Sequence, residues 1–327
     1  MPEDAARAGE PYARSQQSQD DSATKIRAVG RPAPALHEVV VTGVGVILPN
    51  CDNREQFWEQ LRDGQSQLTL ESDPVEQMAY AVGRVHDFDA RKYLVGIPES
   101  LYANWHREQR FYVASLLLAC RDAELDVARL ASDRVGLYDG TSRGSFAFWY
   151  EQIKSKIEHP NQRFTTRELN LGMPGQAVGL AAATLGIKGP TYTFNGTCAS
   201  GAIAVGHAYR ELQSGRIDLA LGTGHDAALV RPLFQMYRDA NLMSRESSTA
   251  AQAIRPYVGH SANAFGEGAV TLMLETREHA EARAAPILAT IAGYRYGNGG
   301  DHPTDVDFTG GRPAALITDA LDEGELT

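Results

Sequence analysis

Cysteine and long hydrophobic runs are scarce in this sequence, and both absences exclude classes of protein. Its 327 residues include only three cysteines, Cys51, Cys120 and Cys198, and no two of them have the Cys-x-x-Cys spacing of a zinc site. So few thiols, in an odd number, argue against a disulfide framework and predict a reducing, cytoplasmic location. The longest apolar run, VASLLLAC, is far shorter than the roughly 20 residues that span a bilayer. The polar N-terminus also lacks the apolar segment of a secretory signal, so we predict no membrane association.

Positive charge is also in short supply. The chain has 31 Lys and Arg residues against 41 Asp and Glu residues, which gives a formal net charge of −10. Non-specific nucleic-acid binding depends on basic side chains that neutralise phosphates, so we predict no nucleic-acid partner. The hydrophobic fraction of 43% and the charged fraction of 22% are typical of a globular protein long enough to bury a substantial core.

The first 36 residues differ in composition from the rest. They are rich in Ala, Gln, Ser, Asp and Pro and contain few large apolar residues. Such a segment cannot bury enough apolar surface to offset the entropy of ordering. We therefore predict a disordered arm at residues 1–36 and a folded region at residues 37–327.

From residue 37 onward, β-rich runs alternate with helical ones. Asn53 and Gln56 have the spacing of a capped helix start, and Gly64 suits the end of that helix. The alternation predicts an α/β protein with a largely parallel sheet. The predicted strands are HEVVVTGVGVILP, RVGLYDG, PTYTF, IDLALGTG, AVTLMLE and PILATIAGYRY, and the predicted helices are NREQFWEQLRDG, WHREQRFYVASLLLACRDAEL, PGQAVGLAAATLG and the segment from Cys198 to Gly215.

The segment GTCASG, residues 196–201, places a cysteine between a predicted strand and a predicted helix of small residues. A free thiol has a pKa near 8.5, so only a small fraction is thiolate at neutral pH. The free N–H groups and the dipole of a helix N-terminus favour the thiolate, and the same N–H groups can stabilise an oxyanion on an attached acyl group. Cys198 is therefore the candidate nucleophile. The alternative is a buried thiol that fills a gap in the core.

Two glycine patterns and one acidic segment are predicted to be turns. TGVGVIL and LGTGHDA contain Gly-x-Gly after a predicted strand but lack the third glycine of a dinucleotide-binding loop, so we expect tight turns at strand ends. DHPTDVD contains Asp301, His302, Asp305 and Asp307, whose spacing fits no standard metal-ligand set. We predict neither a nucleotide site nor a metal site.

A cysteine hydrolase is the alternative enzyme that the residues allow. The nucleophile elbow of α/β-hydrolases reads Gly-x-nucleophile-x-Gly, followed along the chain by an acid and a histidine. Here Ser200 stands in place of the second glycine, and its Cβ is expected to crowd such a turn. Asp226 could supply the acid, followed by one of three histidines, namely His260, His279 or His302.

From about His37 to its end, the chain resembles the β-ketoacyl synthases, the condensing enzymes of fatty-acid and polyketide assembly. Several segments in the same order carry the resemblance: VVVTGVGVILPN with FWEQLRDGQS, YAVGRVHDFDARKYL with REQRFYVASLLLACRDAEL, GPTYTFNGTCASGAIAVGHAYRELQSGRIDLALGTGHDA, and RPYVGHSANAFGEGAVTLMLE. The resemblance implies a thiolase-like layered α/β fold, here its N-terminal half with the start of the C-terminal half. It also places Cys198 at the family's nucleophile position.

The resemblance implies a reaction in three stages. An acyl group passes from acyl carrier protein to Cys198, a malonyl group on a second carrier loses carbon dioxide, and the resulting carbanion attacks the thioester. The substrates travel on the phosphopantetheine of acyl carrier protein, so no other cofactor is implied. The expected partners are acyl carrier protein and a second ketosynthase subunit, in a homodimer or a heterodimer. Thr304 matches a family threonine near the pantetheine entrance and is a candidate substrate-binding residue.

The sequence also departs from the family. Residues 258–263, VGHSAN, replace the usual Asp-x-x-Arg-Asp-Gly, and Thr197 stands where alanine is more common. The family's two later histidine segments and its Gly-Phe-Gly-Gly loop do not occur before the sequence ends at LDEGELT. We therefore assign no catalytic histidine and expect that this chain alone does not complete the condensation. The alternative within the family is a non-catalytic partner subunit or a fragment, since such a chain is expected to expose an apolar face that a partner covers.

Overall fold

The computed structural model describes residues 36–73, 75, 77–245, 249–258, 262–300 and 308–326. Of the predicted arm at 1–36, only Leu36 falls within these ranges, so the arm stays a prediction. The segment DHPTDVD, with Thr304, also lies outside the described residues. No helix among the described residues is both long enough and apolar enough to cross a membrane.

The described residues contain nine strands and eleven α-helices. The strands are β1 (Val39–Ile47), β2 (Thr69–Asp73), β3 (Met78–Gly83), β4 (Val135–Gly140), β5 (Thr191–Phe194), β6 (Leu219–Asp226), β7 (Phe265–Gly266), β8 (Gly268–Thr276) and β9 (Ala289–Ile291). The helices are α1 (Arg54–Arg62), α2 (Ala90–Tyr93), α3 (Glu99–Tyr102), α4 (Arg107–Asp122), α5 (Phe146–Glu158), α6 (Thr166–Leu171), α7 (Gln176–Leu185), α8 (Ser200–Gln213), α9 (Arg231–Asp239), α10 (Arg277–Ala282) and α11 (Gly311–Glu323). Most predicted elements are thus confirmed, but only Ala289–Ile291 of PILATIAGYRY forms a strand.

The main sheet has six strands in the order β5-β4-β6-β8-β1-β9, and a second sheet has the order β2-β3-β7. In the main sheet, β4 runs parallel to β5 and β6, whereas β8 is antiparallel to β6 and β1, and β9 is antiparallel to β1. The prediction of a largely parallel sheet is therefore wrong. Helices cover both faces of this sheet, so its antiparallel strands are as continuously apolar as its parallel ones, and the sequence pattern cannot separate the two.

Helix α1 begins and ends as its sequence predicts. The side chain of Asn53 accepts a hydrogen bond from the backbone N–H of Gln56 at 2.9 Å. Gln56 in turn accepts from the N–H of Asp52 at 3.2 Å, and Gly64 follows the helix end at φ 62°. The capping residues therefore fix the start of the helix that follows β1.

The two Gly-x-Gly patterns lie inside strands and not in turns, which corrects that prediction. Gly43 and Gly45 belong to β1 and face α4, and a Cβ at Gly45 would stand 1.8 Å from the carbonyl oxygen of Ser115. Gly222 and Gly224 belong to β6 and face α8, and a Cβ at Gly222 would stand 3.2 Å from the Cα of Val205. Each pair of glycines lets one helix approach the sheet closely.

Helices α4 and α8 pack on opposite faces of the main sheet. The core on the α4 side includes α7 and fully buried aromatic residues such as Phe111 and Tyr112. The core on the α8 side is built from small residues of the helix, Ala204 and Ala208, against Val39 and other strand residues. Helix α4 packs mainly on β1 and β8, whereas α8 packs mainly on β4 and β6, and the candidate nucleophile lies at the start of α8.

Candidate active site

Cys198 lies in a single 3₁₀ turn, Thr197–Ala199, between β5 and the first residue of α8. Its side chain is exposed, whereas Cys51 and Cys120 are buried. Burial raises the pKa of the Cys120 thiol to about 12 and raises that of Cys51 as well. Cys198 is therefore the one thiol of the three that is accessible for chemistry, and the alternative of a buried gap-filling cysteine is wrong.

The hydroxyl of Ser200 stabilises this turn through two hydrogen bonds. Its Oγ donates a hydrogen bond to the carbonyl oxygen of Thr197 at 2.7 Å and accepts one from the N–H of Gly196 at 2.9 Å. Thr197 has a positive φ of 53°, a conformation that a β-branched residue rarely adopts. Ser200 therefore holds the residue before the nucleophile in a strained conformation.

Three glycines bring the start of α8 against the carboxyl ends of β4 and β6. A Cβ at Gly140 would stand 2.2 Å from the carbonyl oxygen of Ser200 and 2.6 Å from the nitrogen of Gly201. A Cβ at Gly201 would stand 3.2 Å from the Cα of Gly224. Since no side chain fits between these backbones, the glycines determine how close Cys198 lies to the strand ends.

Cys198 opens into a cavity of about 640 Å³ at this end of the sheet. Its walls are largely apolar and include Leu48, Phe265 and Val270. The charged residues among its lining are Arg143, Asp226 and Glu267, with His225. A space of this size, with one exposed thiol and few charged groups, can receive a small or extended apolar substrate.

The Asp226 carboxylate fixes the loop that follows β4. Its Oδ1 accepts hydrogen bonds from Thr141 Oγ1 at 3.1 Å and from the backbone N–H of Arg143 at 2.9 Å. Its Oδ2 accepts from the N–H of Ser142 at 3.0 Å. Asp226 was the acid of the hydrolase alternative, but three donors on this loop occupy its oxygens.

The histidines of that alternative do not join Cys198. His279 lies 2.6 Å from Glu275 Oε2, at the other end of β8, and is not among the residues that line the cavity. His260 and His302 lie outside the described residues. Within the described part of the chain, no Cys-His-Asp triad of the hydrolase kind is therefore assembled from the predicted residues.

A buried ionic cluster next to the cavity was not predicted. His225 Nε2 lies 2.9 Å from Asp139 Oδ1, and the two side chains are 2% and 1% exposed. Burial lowers the pKa of His225, but the nearby carboxylates, chiefly Asp139 and Glu108, outweigh burial and raise the pKa to about 9. The His225 ring lies 5.2 Å from that of Tyr112 in α4. Successive side chains of a strand point to opposite faces of the sheet. Gly222 and Gly224 face α8, the helix that follows Cys198, so the side chain of His225 points to the other face, where α4 lies.

No local pattern in the sequence marks Arg143 or the residues of this cluster. Arg143 is a single basic residue in a loop. Glu108 and Tyr112 lie on a predicted helix with a long apolar run, which gives no indication of a charged cluster. Their proximity to the cavity depends on the order of strands in the sheet. Only the nucleophile was marked by its local context, namely a cysteine between a strand and a helix of small residues.

The fold defines a class of protein, the thiolase-like ketosynthases. The ishigamide ketosynthase/chain length factor structure has the same fold, with 25% identity, a TM-score of 0.79, and coverage of 90% of this chain and 71% of that chain. A ketosynthase solved with a type II acyl carrier protein and a bound hexaketide gives 24% identity, a TM-score of 0.76, and coverage of 89% and 71%.

The sequence matches the same class. The family described as beta-ketoacyl synthase, N-terminal domain, matches residues 36–280, and the chain belongs to this family. It is 29% identical over 259 residues to 3-oxoacyl-[acyl-carrier-protein] synthase 2 of Synechocystis sp.. That alignment covers 78% of this chain and 62% of the relative, so the chain spans less than two thirds of the length of that enzyme. The predicted family and the thiolase-like fold are confirmed.

Proposed function

We propose that Cys198 accepts an acyl group from the thioester of acyl carrier protein, as in the first stage of a β-ketoacyl synthase reaction of fatty-acid or polyketide assembly. One observation carries the proposal. The only exposed cysteine of the chain lies at the start of α8 and opens into a cavity of about 640 Å³. The name of the Synechocystis relative, a synthase that acts on acyl carrier protein, supports the same substrate class.

The chemistry of this stage needs only a thiolate and a donor for the developing oxyanion. The sulfur of Cys198 attacks the thioester carbonyl carbon, the bond from that carbon to the pantetheine sulfur breaks, and the pantetheine sulfur takes the proton that Cys198 gave up. The N–H groups of Ala199 and Ser200 bond within the turn to Gly196 and Thr197. The N–H of Cys198 itself is therefore the candidate oxyanion donor.

In the two later stages, a malonyl group on a second carrier loses carbon dioxide and the resulting carbanion attacks the acyl group on Cys198, and we expect that this chain alone does not complete them. These stages are proposed from family membership alone. The acyl groups arrive on the phosphopantetheine of the carrier, so the reaction needs no other cofactor. The three cysteines are free thiols, which supports a reducing, cytoplasmic setting.

We also propose a second ketosynthase subunit as a partner. Strand β5 (Thr191–Phe194) is at the edge of the main sheet, and Tyr192 is 53% exposed. An open edge with an exposed aromatic residue is suited to pairing with another chain. Size-exclusion chromatography with light scattering distinguishes a homodimer from a chain that assembles only with a separate synthase subunit.

The test of acyl transfer is intact-protein mass spectrometry after incubation with hexanoyl-acyl carrier protein. The wild-type chain is expected to gain the mass of one hexanoyl group, and Cys198→Ala is expected to gain none. Cys120→Ala, which removes a buried thiol, is the matched control and should label like wild type. Labelling of Cys198→Ala to the wild-type extent contradicts the proposal.

The second candidate function is a non-catalytic subunit that stabilises or shapes a complete synthase. The observation that favours it is the similarity to a solved pair of subunits, the ishigamide ketosynthase/chain length factor. This candidate predicts stable association with a complete synthase without acylation of Cys198. The hydrolase alternative predicts ester turnover in the absence of carrier protein, and His279, the one histidine of that triad within the described residues, does not line the cavity.

A further inference from the structure

Arg143 is a basic residue in the lining of the cavity that contains Cys198. It lies on the loop that follows β4, where its backbone N–H is bonded to Asp226, and its side chain is half-buried. The guanidinium donates a hydrogen bond to the hydroxyl of Tyr237 and lies 5.4 Å from the centre of that ring. Tyr237, which also lines the cavity, therefore holds the guanidinium in place.

The acidic residues of the cavity are already satisfied by other donors. Asp226 accepts its three hydrogen bonds from the loop itself. Glu267 accepts two from Arg107, at 2.8 and 2.9 Å, and one from the backbone N–H of Val85 at 3.0 Å. Within the described part of the chain, Arg143 forms no salt bridge with any carboxylate. No carboxylate of the described residues therefore pairs directly with the Arg143 guanidinium.

We propose that Arg143 binds an anionic oxygen group of the substrate, a carboxylate or a phosphate, in the same cavity as Cys198. The proposal deepens the function given above, on which it rests, because it names the chemical class of substrate that the cavity selects. It makes Arg143 a specificity-determining residue and not a participant in acyl transfer.

The chemistry of arginine fits this role. A guanidinium has five N–H donors in a planar fork, and the bond to Tyr237 leaves others available. Carboxylates and phosphates match the fork with two parallel hydrogen bonds. The cavity walls are largely apolar, so an anion that enters loses hydrogen bonds to water and regains them chiefly from Arg143. Loss of Arg143 is therefore expected to weaken the binding of anionic substrates and to leave the binding of neutral ones unchanged.

Three probes separate the two sources of the anion. Hexanoyl-pantetheine is neutral, adipoyl-pantetheine has the same chain length with a terminal carboxylate, and hexanoyl-4′-phosphopantetheine carries a phosphate instead. Binding of each is measured by calorimetry to the full chain carrying Cys198→Ala, in which no transfer can occur. The measured binding is therefore independent of acyl transfer. If Cys198 proved not to accept an acyl group, the binding of the anionic probes by Arg143 could still be confirmed or contradicted.

Arg143→Met is the test variant, since it keeps much of the apolar stem and removes the charge. Arg91→Met removes a charge from an exposed arginine of α2 that does not line the cavity and is the matched control. We expect Arg143→Met to weaken binding of at least one anionic probe by about 10- to 100-fold, the effect of a lost charge-assisted hydrogen bond. Hexanoyl-pantetheine should bind as before. Arg143→Gln replaces the methionine variant if the latter does not fold.

A loss confined to the adipoyl probe identifies a carboxylate, and a loss confined to the phosphorylated probe identifies a phosphate. Either result supports the proposal. Four results overturn it: equal loss for all three probes, unchanged binding of both anionic probes, the same loss in Arg91→Met, or no binding of any probe to the parent chain.

Discussion

At the scale of single residues, the position of the nucleophile depends on a glycine that carries no chemistry. Gly140 ends β4 directly beneath the turn of Cys198, and a Cβ there would stand 2.2 Å from the Ser200 carbonyl oxygen. That oxygen belongs to backbone and cannot rotate away, so any side chain at this position must separate α8 from the sheet.

Gly140→Ala is therefore expected to reduce both stability and acyl transfer. Overpacking of this kind costs about 1–3 kcal/mol of unfolding free energy, and displacement of the nucleophile should slow acylation of Cys198 by about 10-fold or more. Urea unfolding and the rate of hexanoyl transfer measure the two effects.

The matched control is Gly179→Ala in the exposed part of α7. A Cβ at Gly179 meets no heavy atom within 4 Å, and alanine is the better helix former by roughly 0.5–1 kcal/mol. This variant should be slightly more stable than wild type and fully active. If Gly140→Ala behaved like Gly179→Ala, the close approach of α8 to β4 would be wrong.

The nucleophile could be predicted from single residues, but its surroundings could not. Cys198 was marked by its place between PTYTF and a run of small residues. Arg143 and His225 were not, because each reaches the cavity only through the order of β4 and β6 in the sheet. Long-range contacts of that kind leave no mark on the local sequence pattern.

At the scale of elements, helix α1 is the clearest case in which local sequence determines structure. Asn53→Ala removes the acceptor for the Gln56 N–H and is expected to cost about 1 kcal/mol of unfolding free energy. Acylation of Cys198 should be unchanged, because α1 contributes no residue to the cavity lining. Asn161→Ala, in the exposed loop after α5, is the control and should leave stability unchanged. Equal stability of both variants would contradict the capping geometry.

Local pattern predicted helices α1, α4, α7 and α8, but it missed α6, although Thr165 and Glu168 form a capping box at the start of that helix. Helix α4 has apolar residues on nearly every side, and its sequence was recognised as helical. Helices α2, α3, α5, α9, α10 and α11 were also not predicted, and neither was the small sheet of β2, β3 and β7. Strand direction was predicted wrongly, since the strands are buried on both faces whether they run parallel or antiparallel.

At the scale of the whole molecule, the buried cluster of His225 links β6, β4 and α4. The charged groups that face it are Asp139 on β4, Glu108 on α4 and the neighbouring Asp226, and burial raises the pKa of Glu108. Tyr112, which is fully buried on α4, lies against the ring. Because His225 contacts residues of both β4 and α4, its protonation state is expected to affect the free energy of unfolding.

The cluster predicts how stability changes with pH. The folded-state pKa of His225 is about 9, above the ordinary value near 6.5, so the folded state favours the protonated ring. Its contribution, on the order of a few kcal/mol, is complete below pH 6.5 and is lost as the pH rises through about 9. His225→Gln removes this titration. The unfolding free energy of wild type minus that of the variant should therefore decrease between pH 6.5 and 9.5 in urea titrations, and a difference that stays constant or grows over this range would contradict the assignment.

Acyl transfer to Cys198 is the claim on which the functional account depends, and peptide mapping of the acylated protein tests it most directly. After reaction with hexanoyl-acyl carrier protein, proteolysis and mass spectrometry should locate the hexanoyl group on the peptide that contains Cys198. The peptides with Cys51 and Cys120 should remain unmodified, because both thiols are buried. Absence of any hexanoyl group, or its presence on another residue while Cys198 stays a free thiol, would contradict the account.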